Sequence, residues 1–364
     1  MEKLSEKEWK VFPAFGENGL LHIATTSSSI DGIKLKDGAT KQVPYITRSD
    51  ANNGVARFVS DSNYEFGSDD AGCITVGLDT QTAFYQPHKF VTGQNIQVIT
   101  GEQLNEATAQ FLVTTLKEQM RAKFNWGGNG ATLGRMKRLE VMLPVDDKGN
   151  PDYVYMTLYS TEVRRGMLMR YKNFIAGQLS QLEHKDIPAL GEKEWDEFVL
   201  DDTFTVGAGK RLETRNKTEG TRPFIGATDN GNGVTGFVGN DNTSKDSNVL
   251  GVNYNGAPCI AFYHPYECIF TDDVKRLHLK NHIDDKYVLL FFTSLFAMQR
   301  VKYSYGYKFK EKRMHRQKLM LPVTDEGNPD YEYMEQYAKN MMLRKYEQHL
   351  VFIDRQSSAE EVNV

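Results

Sequence analysis

No run of about 18 apolar residues occurs in the 364-residue chain, so no segment has the length and hydrophobicity of a bilayer-spanning helix. The first eight residues, Met1-Glu2-Lys3-Leu4-Ser5-Glu6-Lys7-Glu8, are polar and lack the apolar core of a secretory signal. Cysteine is scarce. Cys73, Cys259 and Cys268 make an odd set with no Cys-x-x-Cys spacing, which argues against a disulfide framework or a zinc site and fits a reducing, cytoplasmic setting. The 8 histidines show no metal-ligand spacing, and no Ser–His–Asp or Cys–His set can be ordered from the chain. Cations are not in excess either. With 44 Lys+Arg against 48 Asp+Glu the net charge is -4, a weak argument against nucleic acid, because a free-standing DNA binder is usually basic. The distribution of charge therefore matters more than its sum.

What is present is a duplication. Leu143-Pro144-Val145-Asp146-Asp147-Lys148-Gly149-Asn150-Pro151-Asp152-Tyr153 recurs as Leu321-Pro322-Val323-Thr324-Asp325-Glu326-Gly327-Asn328-Pro329-Asp330-Tyr331. Phe84-Tyr85 and Phe262-Tyr263 stand 178 residues apart (84 to 262), the same offset as Pro144 and Pro322. One constant offset over that span means two duplicated domains. Glu6-Lys7-Glu8-Trp9 and Glu192-Lys193-Glu194-Trp195 open the halves. The loops Ile23 to Lys41 and Thr205 to Arg222 then diverge before the halves converge on Val43–Val55 and Arg222–Val234. There a short strand, a polar loop and an Asn-Gly turn lead into another strand, a hairpin signal.

Each half continues through further strand-like runs into an amphipathic helix. Asn105 to Phe124 places Ala109, Leu112, Val113, Leu116 and Met120 on one face, and Asp284 to Val301 is richer in apolar residues. A basic segment, the Leu-Pro strand and a long helix follow, with proline at the first helical turn. The long helices are expected over about Pro151–Leu182 and Pro329–Ile353. Their stripes (Met156, Tyr159, Val163, Met167, Tyr171, Phe174, Leu182; Met334, Tyr337, Met341, Tyr346, Leu350, Ile353) exceed what a domain core needs, since 30 helical residues span roughly 45 Å. Their simplest partner is each other, as a two-helix coiled coil.

Three stretches imitate catalytic motifs. Asn150-Pro151-Asp152-Tyr153 resembles the Asn-Pro-Pro-Tyr of DNA amino-methyltransferases but lacks the second proline and any Gly-rich cofactor turn, so it reads as a turn and helix start. Pro151-Asp152 with Glu183-His184-Lys185 imitates a nuclease triplet, but its carboxylates would lie a helix length apart and the second half lacks the lysine. Gly207-Ala208-Gly209-Lys210 is not a phosphate loop, because Phe204 and Arg211 occupy the positions of its first glycine and its hydroxyl residue. The chain reads as non-enzymatic.

The remaining signal is electrostatic. Arg300, Lys302, Lys308, Lys310, Lys312, Arg313, Arg316 and Lys318 face one acid, Glu311, with tyrosines interleaved. The same place in the first half holds Lys117, Arg121, Lys123, Arg135, Lys137 and Arg138, with Trp126 and Gly127-Gly128-Asn129-Gly130. A third cluster is Lys210, Arg211, Arg215, Lys217 and Arg222. Clustered cations with aromatics and glycine suit phosphate contact, although a charge run is more often a solvated face. Its recurrence at one place in both repeats, near divergent loops, favours contact.

The two-repeat plan, the Pro-Tyr-Ile-Thr-Arg-Ser…Asn-Asn-Gly loop (Pro44 to Gly54), the Tyr-Ser-Tyr-Gly-Tyr-Lys segment (Tyr303 to Lys308) and the Leu-Pro strand before each long helix resemble the DNA-specificity (S) subunit of type I restriction–modification systems. They equally resemble the specificity subunit of type IIB (BcgI-like) systems. The resemblance covers about residues 8–355. It implies an α+β fold of two tandem target-recognition domains, each a curled, mainly antiparallel sheet plus helices, each followed by a long helix. The two helices would pair as an antiparallel coiled coil with pseudo-twofold symmetry. The implied boundaries are 1–150, 151–185 (spacer helix 1), 186–328, 329–355 (spacer helix 2) and a polar tail, 356–364. Each domain would read one half of a bipartite site on double-stranded DNA, while the helices set the gap and dock a DNA adenine methyltransferase. A restriction nuclease would be a separate subunit or fused to the methyltransferase. No cofactor is expected in this chain, with S-adenosylmethionine and Mg2+ in partner subunits.

The resemblance points to Arg48, Ser49, Asn52 and Asn53 in the first half and to Thr228, Asp229, Asn230 and Asn232 in the second as DNA contacts. The plainer reading is that Asn-Gly only makes the turn. Ala227 stands where the first half has Arg48, so Lys210, Arg211 or Arg215 would take over readout there. Trp126, Asn129, Arg135, Lys137, Tyr305, Tyr307, Lys308 and Arg313 are the candidates of the basic loops. Arginine or lysine on guanine and asparagine on adenine are the expected pairings. The competing reading is an assembly or inhibitor module that captures a partner through the long helices and leaves no DNA footprint.

Overall fold

The structure, a computed structural model, describes residues 2–124, 130–303 and 307–361. The chain divides into two compact units, Met1–Tyr171 and Lys172–Val364.

In the first unit a four-stranded antiparallel sheet has the order His22–Thr25, Ile96–Thr100, Cys73–Gly77, Thr82–Gln86. Its central strands are mainly apolar and buried on both faces, with Thr75 and Gln97 as buried polar residues. A smaller sheet has the order Val55–Val59, Val43–Ile46, Val91–Thr92, the last pair parallel. A third pair joins Trp9–Pro13 to Glu140–Pro144. The helix Glu106–Lys123 is capped by Asn105, whose side chain accepts from Thr108 N at 3.0 Å while Thr108 Oγ1 accepts from Asn105 N at 2.9 Å. Its expected apolar face is buried: Ala109, Leu112, Val113, Leu116 and Met120 lie in the main core with Ile74, Ile99 and Val141.

The second unit repeats this topology. Its four-stranded sheet runs Phe204–Ala208, Val274–Leu279, Val249–Asn253, Ala261–His264. Its smaller sheet runs Val234–Val238, Arg222–Ile225, Ile269–Phe270, and Trp195–Val199 pairs with Lys318–Pro322. The helix Lys286–Gln299 starts at Asp285, which accepts from Tyr287 N and Val288 N. Each domain thus holds three small sheets where one curled sheet is expected. A register shift beside Ile46, and another beside Ile225, marks the bend at the polar turn.

The imitation motifs are structural. Asp146 Oδ1 accepts from Lys148 N and Asn150 N, each at 2.9 Å, and Gly149 takes φ +80°, which closes the turn. Pro151 bridges Val145 instead of entering the helix, and the cap is Asp152, which accepts from Tyr155 N at 2.9 Å. Lys7 pairs with Asp152 at 2.8 Å. Burial pushes the Asp152 carboxyl up, but the hydrogen bonds from Lys7 and Tyr155 outweigh it and hold the group below its ordinary range. Asp330, Tyr333 and Lys193 repeat the device at 2.9 and 2.7 Å. Gly209 ends a strand so close to the Thr271 carbonyl that a Cβ would sit 1.8 Å from its oxygen, which explains the glycine without a phosphate.

The long helices span Tyr153–Leu179 and Tyr331–Glu361. Their expected stripes divide. Met156 and Met334 are fully buried in the cores of their own domains, with Tyr159 and Tyr337 packed beside them. Val163, Met167 and Phe174 stay 42%, 57% and 56% exposed. Within the second unit, Lys172 Nζ meets Asp354 at 2.6 Å, Gln336 Nε2 donates to Glu183 O at 2.9 Å, and Asn340 Nδ2 donates to Lys185 O at 2.7 Å. As the chain advances from Lys172 to Glu183 and Lys185, its partners move back from Asp354 to Gln336 and Asn340, so these segments run antiparallel.

Candidate nucleic-acid interface

Each domain builds its polar turn from three consecutive left-handed residues. These are Asn52 (φ +51°), Asn53 (+57°) and Gly54 (+78°) in the first, and Gly231 (+56°), Asn232 (+53°) and Gly233 (+76°) in the second. Asparagine and glycine enter this region at least cost, which is why these residue types recur here. Thr47 N donates to Gly54 O at 2.8 Å, and Gly226 N to Gly233 O at 2.9 Å, closing both loops identically.

The side chains around the turns differ. Asn53 Nδ2 donates to Tyr85 O at 2.8 Å, while Gln86 Nε2 donates to Asn53 O at 3.1 Å and to Thr75 Oγ1 at 2.9 Å. In the second domain Asn232 Nδ2 donates to Tyr266 Oη at 3.1 Å, and Asn253 Nδ2 to Thr228 O at 2.9 Å. Asn53 and Asn232 therefore hold their turns. Ser49 Oγ accepts from Ala51 N at 3.1 Å, and Asn230 N donates to Thr228 Oγ1 at 3.2 Å. Arg48, Asn52 and Asn230 are exposed.

The turn and the basic segment come together in both domains. Arg48 is ion-paired with Asp79, and the neighbouring Leu78 O accepts from Ala131 N at 3.0 Å, where the basic segment returns to the domain. Lys137 is exposed a few residues on. In the second domain Arg300, at the end of the helix, approaches Asp229 of the turn at 3.9 Å. Beyond it a cleft of about 740 Å³ is lined by Lys302, Tyr303, Tyr307, Arg313, Arg316 and Lys318, with Gln299, Gln317 and Glu197 among its walls. The Arg313 guanidinium lies 3.8 Å from the Tyr307 ring centroid, and Tyr307 stacks on Tyr303 at 5.9 Å. Tyr303 Oη donates to Gln317 Oε1 at 2.6 Å, and burial pushes its phenol up to about 12, so it stays a donor.

Lys210, Arg211 and Arg215 do not line this cleft. Lys210 N donates to Phe270 O at 2.9 Å, Leu212 packs on the smaller sheet, and exposed Arg215 pairs with Glu213 at 2.8 Å. Trp126, Asn129 and Tyr305 lie outside the described residues. Sequence reasoning missed Asp79, Gln86, Tyr266 and Gln317. They carry no motif and matter only through the pairing register that places them under a turn or a ring. The thiols of Cys73, Cys259 and Cys268 are buried, and burial pushes each up to about 12. Among the described residues no group of three or more His, Cys, Asp or Glu could hold a metal ion, and no helix is long and apolar enough to cross a membrane.

A duplicated α+β chain that sets a polar turn near a basic segment in each half fits a class, a nucleic-acid recognition scaffold built twice. The chain matches the family described as the type I restriction modification DNA specificity domain over residues 17–161 and again over 192–349. It is 37% identical over 313 residues to the specificity subunit S.BcgI of a type II restriction enzyme from Heyndrickxia coagulans, covering 86% of this chain and 89% of that one. The chain belongs to this DNA-specificity family, and it is a specificity subunit for DNA sequence recognition. Among solved structures it is similar to the type I S subunit from M. genitalium (TM-score 0.46, 15% identity, covering 100% of this chain and 95% of that one). It is also similar to the HsdS subunit from Thermoanaerobacter tengcongensis (TM-score 0.33, 13% identity, 86% and 85%).

Proposed function

We propose that each domain reads one half of a split, asymmetric duplex sequence, and that the long helices set the gap between the halves. The observation that carries this is the double occurrence of one arrangement, a left-handed polar turn ion-paired in the second half to the basic segment itself (Asp229–Arg300) and in the first to Asp79, next to the Leu78 carbonyl that receives the basic segment at Ala131. Duplicated scaffolds with diverged contact residues suit two different half-sites.

The exposed apolar residues Val163, Met167, Met169 and Phe174 on the first long helix form the docking surface for methyltransferase subunits. Catalysis then belongs to partners: an S-adenosylmethionine-dependent adenine methyltransferase and a Mg2+-dependent nuclease, acting on chromosomal DNA in the cytoplasm. Likeness to S.BcgI over most of both chains favours the type IIB arrangement, with nuclease and methyltransferase in one polypeptide.

The test is to co-express the chain with its neighbouring methyltransferase and map modified adenines across the host DNA. A split motif that vanishes when this chain is deleted supports the proposal. Normal assembly with unchanged methylation would leave a docking module without a reading role.

A further inference from the structure

Arg135 and Arg313 stand 178 residues apart (135 to 313), in the register of the duplication, yet their surroundings differ. Gly130-Ala131-Thr132-Leu133-Gly134-Arg135-Met136 corresponds to Lys308-Phe309-Lys310-Glu311-Lys312-Arg313-Met314, and only the Arg-Met pair is shared. Both arginines do the same thing. Arg135 Nη1 donates to Gly130 O at 3.0 Å, and Arg313 Nη1 donates to Lys308 O at 2.7 Å.

Each bond reaches back five residues, across a short helix whose first turn hydrogen-bonds to Thr132 O in one domain and Lys310 O in the other. On either side of the bond the chain is nailed into the core. Ala131 and Phe309 are 0% exposed, as are Met136 and Met314. Ala131 O accepts from the buried Gln97 side chain at 3.0 Å. In the second domain the guanidinium also stacks on Tyr307, and so fixes a ring of the cleft.

Each guanidinium is committed through Nη1 to a main-chain oxygen of its own loop. The planar fork of Arg313 spans a carbonyl and covers the Tyr307 ring at once, which a lysine ammonium cannot do. A base-reading arginine needs two free donors aimed at guanine O6 and N7, whereas these spend Nη1 on their own loop.

We propose that Arg135 and Arg313 are positioning residues, one in each domain, that lock the return of the basic segment and so set the angle at which its other cations meet DNA. The inference rests on the DNA-reading function and adds a role within it.

The test uses the complete complex with its methyltransferase and the methylation motif mapped for the wild type. Binding is measured to a duplex carrying that motif and to duplexes with one half-site scrambled, over a range of salt. Arg313→Ala and Arg313→Lys are both expected to lose about tenfold or more in discrimination at one half-site, by the scale of a mispaired base contact. Arg135→Ala and Arg135→Lys lose it at the other. The slope of log affinity against log salt stays within about 0.5 of wild type, because no phosphate contact is removed. If lysine restores wild-type behaviour while alanine lowers the slope by about 1, the arginines are phosphate contacts and the inference is wrong. Wild-type discrimination in both variants overturns it as well. Should the alanine chains fail to assemble, Tyr307→Leu, which removes the stacked ring alone, must still relax the same half-site as Arg313→Lys, and full discrimination there overturns the clamp. A wild-type complex with no preference between duplexes contradicts the proposed function itself, a separate outcome from any variant result.

Discussion

The two polar turns share a backbone and almost nothing beneath it. Under Asn53 lies Gln86, bonded to both the turn and Thr75. At the matching place, 178 residues on (86 to 264), stands His264, and Gly251, paired with Phe262, stands where the first domain has Thr75, paired with Phe84. A Cβ on Gly251 would approach His264 Nε2 to 2.8 Å, so the ring fills the space a side chain would need. The turn is then held by Tyr266 instead. The ion pairs of the turns also differ: the first turn supplies the cation to Asp79 of a strand-connecting turn, and the second supplies the anion to Arg300 at the end of a helix. The backbone conformation is what both domains keep. The side chains around it are free to change.

The comparison breaks most visibly in the cores. Phe292 is fully buried in the second domain, with Phe204 edge-on at 4.8 Å. Phe292→Ala is expected to cost about 3–5 kcal/mol. Because the chain forms two compact units, calorimetry should show the second domain's transition falling while the first stays in place. A common shift would mean the halves unfold as one.

Next in size is acid sensitivity. Burial pushes the His264 imidazole down to about 4, so it is neutral in the folded domain, and among the described residues its Nε2 has no hydrogen-bond partner. The unfolded chain takes up a proton near pH 6.5 that the folded domain refuses. Stability is therefore complete above about 6.5 and falls as pH drops towards 4, by roughly 3 kcal/mol. His278 acts oppositely. Burial pulls it down, but Asp246 at 3.1 Å and Asp284 at 2.7 Å outweigh that and hold it above its ordinary range. Its contribution is complete below about 6.5 and is lost as pH rises through the raised value. Hydrogen exchange between pH 6.5 and 4 should loosen strand Ala261–His264 before strand Thr82–Gln86. His264→Gln, which installs the first domain's residue, should flatten that difference.

Smaller, and equal in the two halves, are the helix caps. Asp152→Ala and Asp330→Ala should each cost about 1–2 kcal/mol, since each removes a cap and strands a lysine. Unequal losses in thermal melts would show that the duplicated device is not energetically duplicated. Smallest is Met298→Glu. Met298 is 69% exposed beside an apolar groove with Leu290, Leu295 and Met341, and its counterpart in the first domain, counted from the helix caps Asp285 and Asn105, is Glu118. A change within about 0.5 kcal/mol is expected, as for a surface position. A larger loss would mean that the groove is closed in solution.

The duplication, the strand and helix order and the site's two components were legible because each rests on local chemistry: a constant offset, apolar spacing and Asn-Gly turns. What was hidden depends on pairing across distance. Asp79 looks like any turn aspartate until the sheet brings it to Arg48. Arg313 looks like one more cation in a run until its guanidinium meets Lys308 O and Tyr307. Pro151 was expected at the first helical turn because proline is common there, but the bridge to Val145 moved the start to Tyr153. Of the stripe on the first long helix, the domain core takes Met156, Leu182 is buried, and Val163 and Met167 stay exposed.

The most direct test is a methylation map from cells expressing the chain with Arg48, Ser49 and Asn52 replaced together by alanine, alongside its neighbouring methyltransferase. Two independently reading domains predict a motif that relaxes in one half only, with the other half and the spacing unchanged. Relaxation of both halves, a changed gap, or an unaltered motif would contradict the division of reading between the two domains.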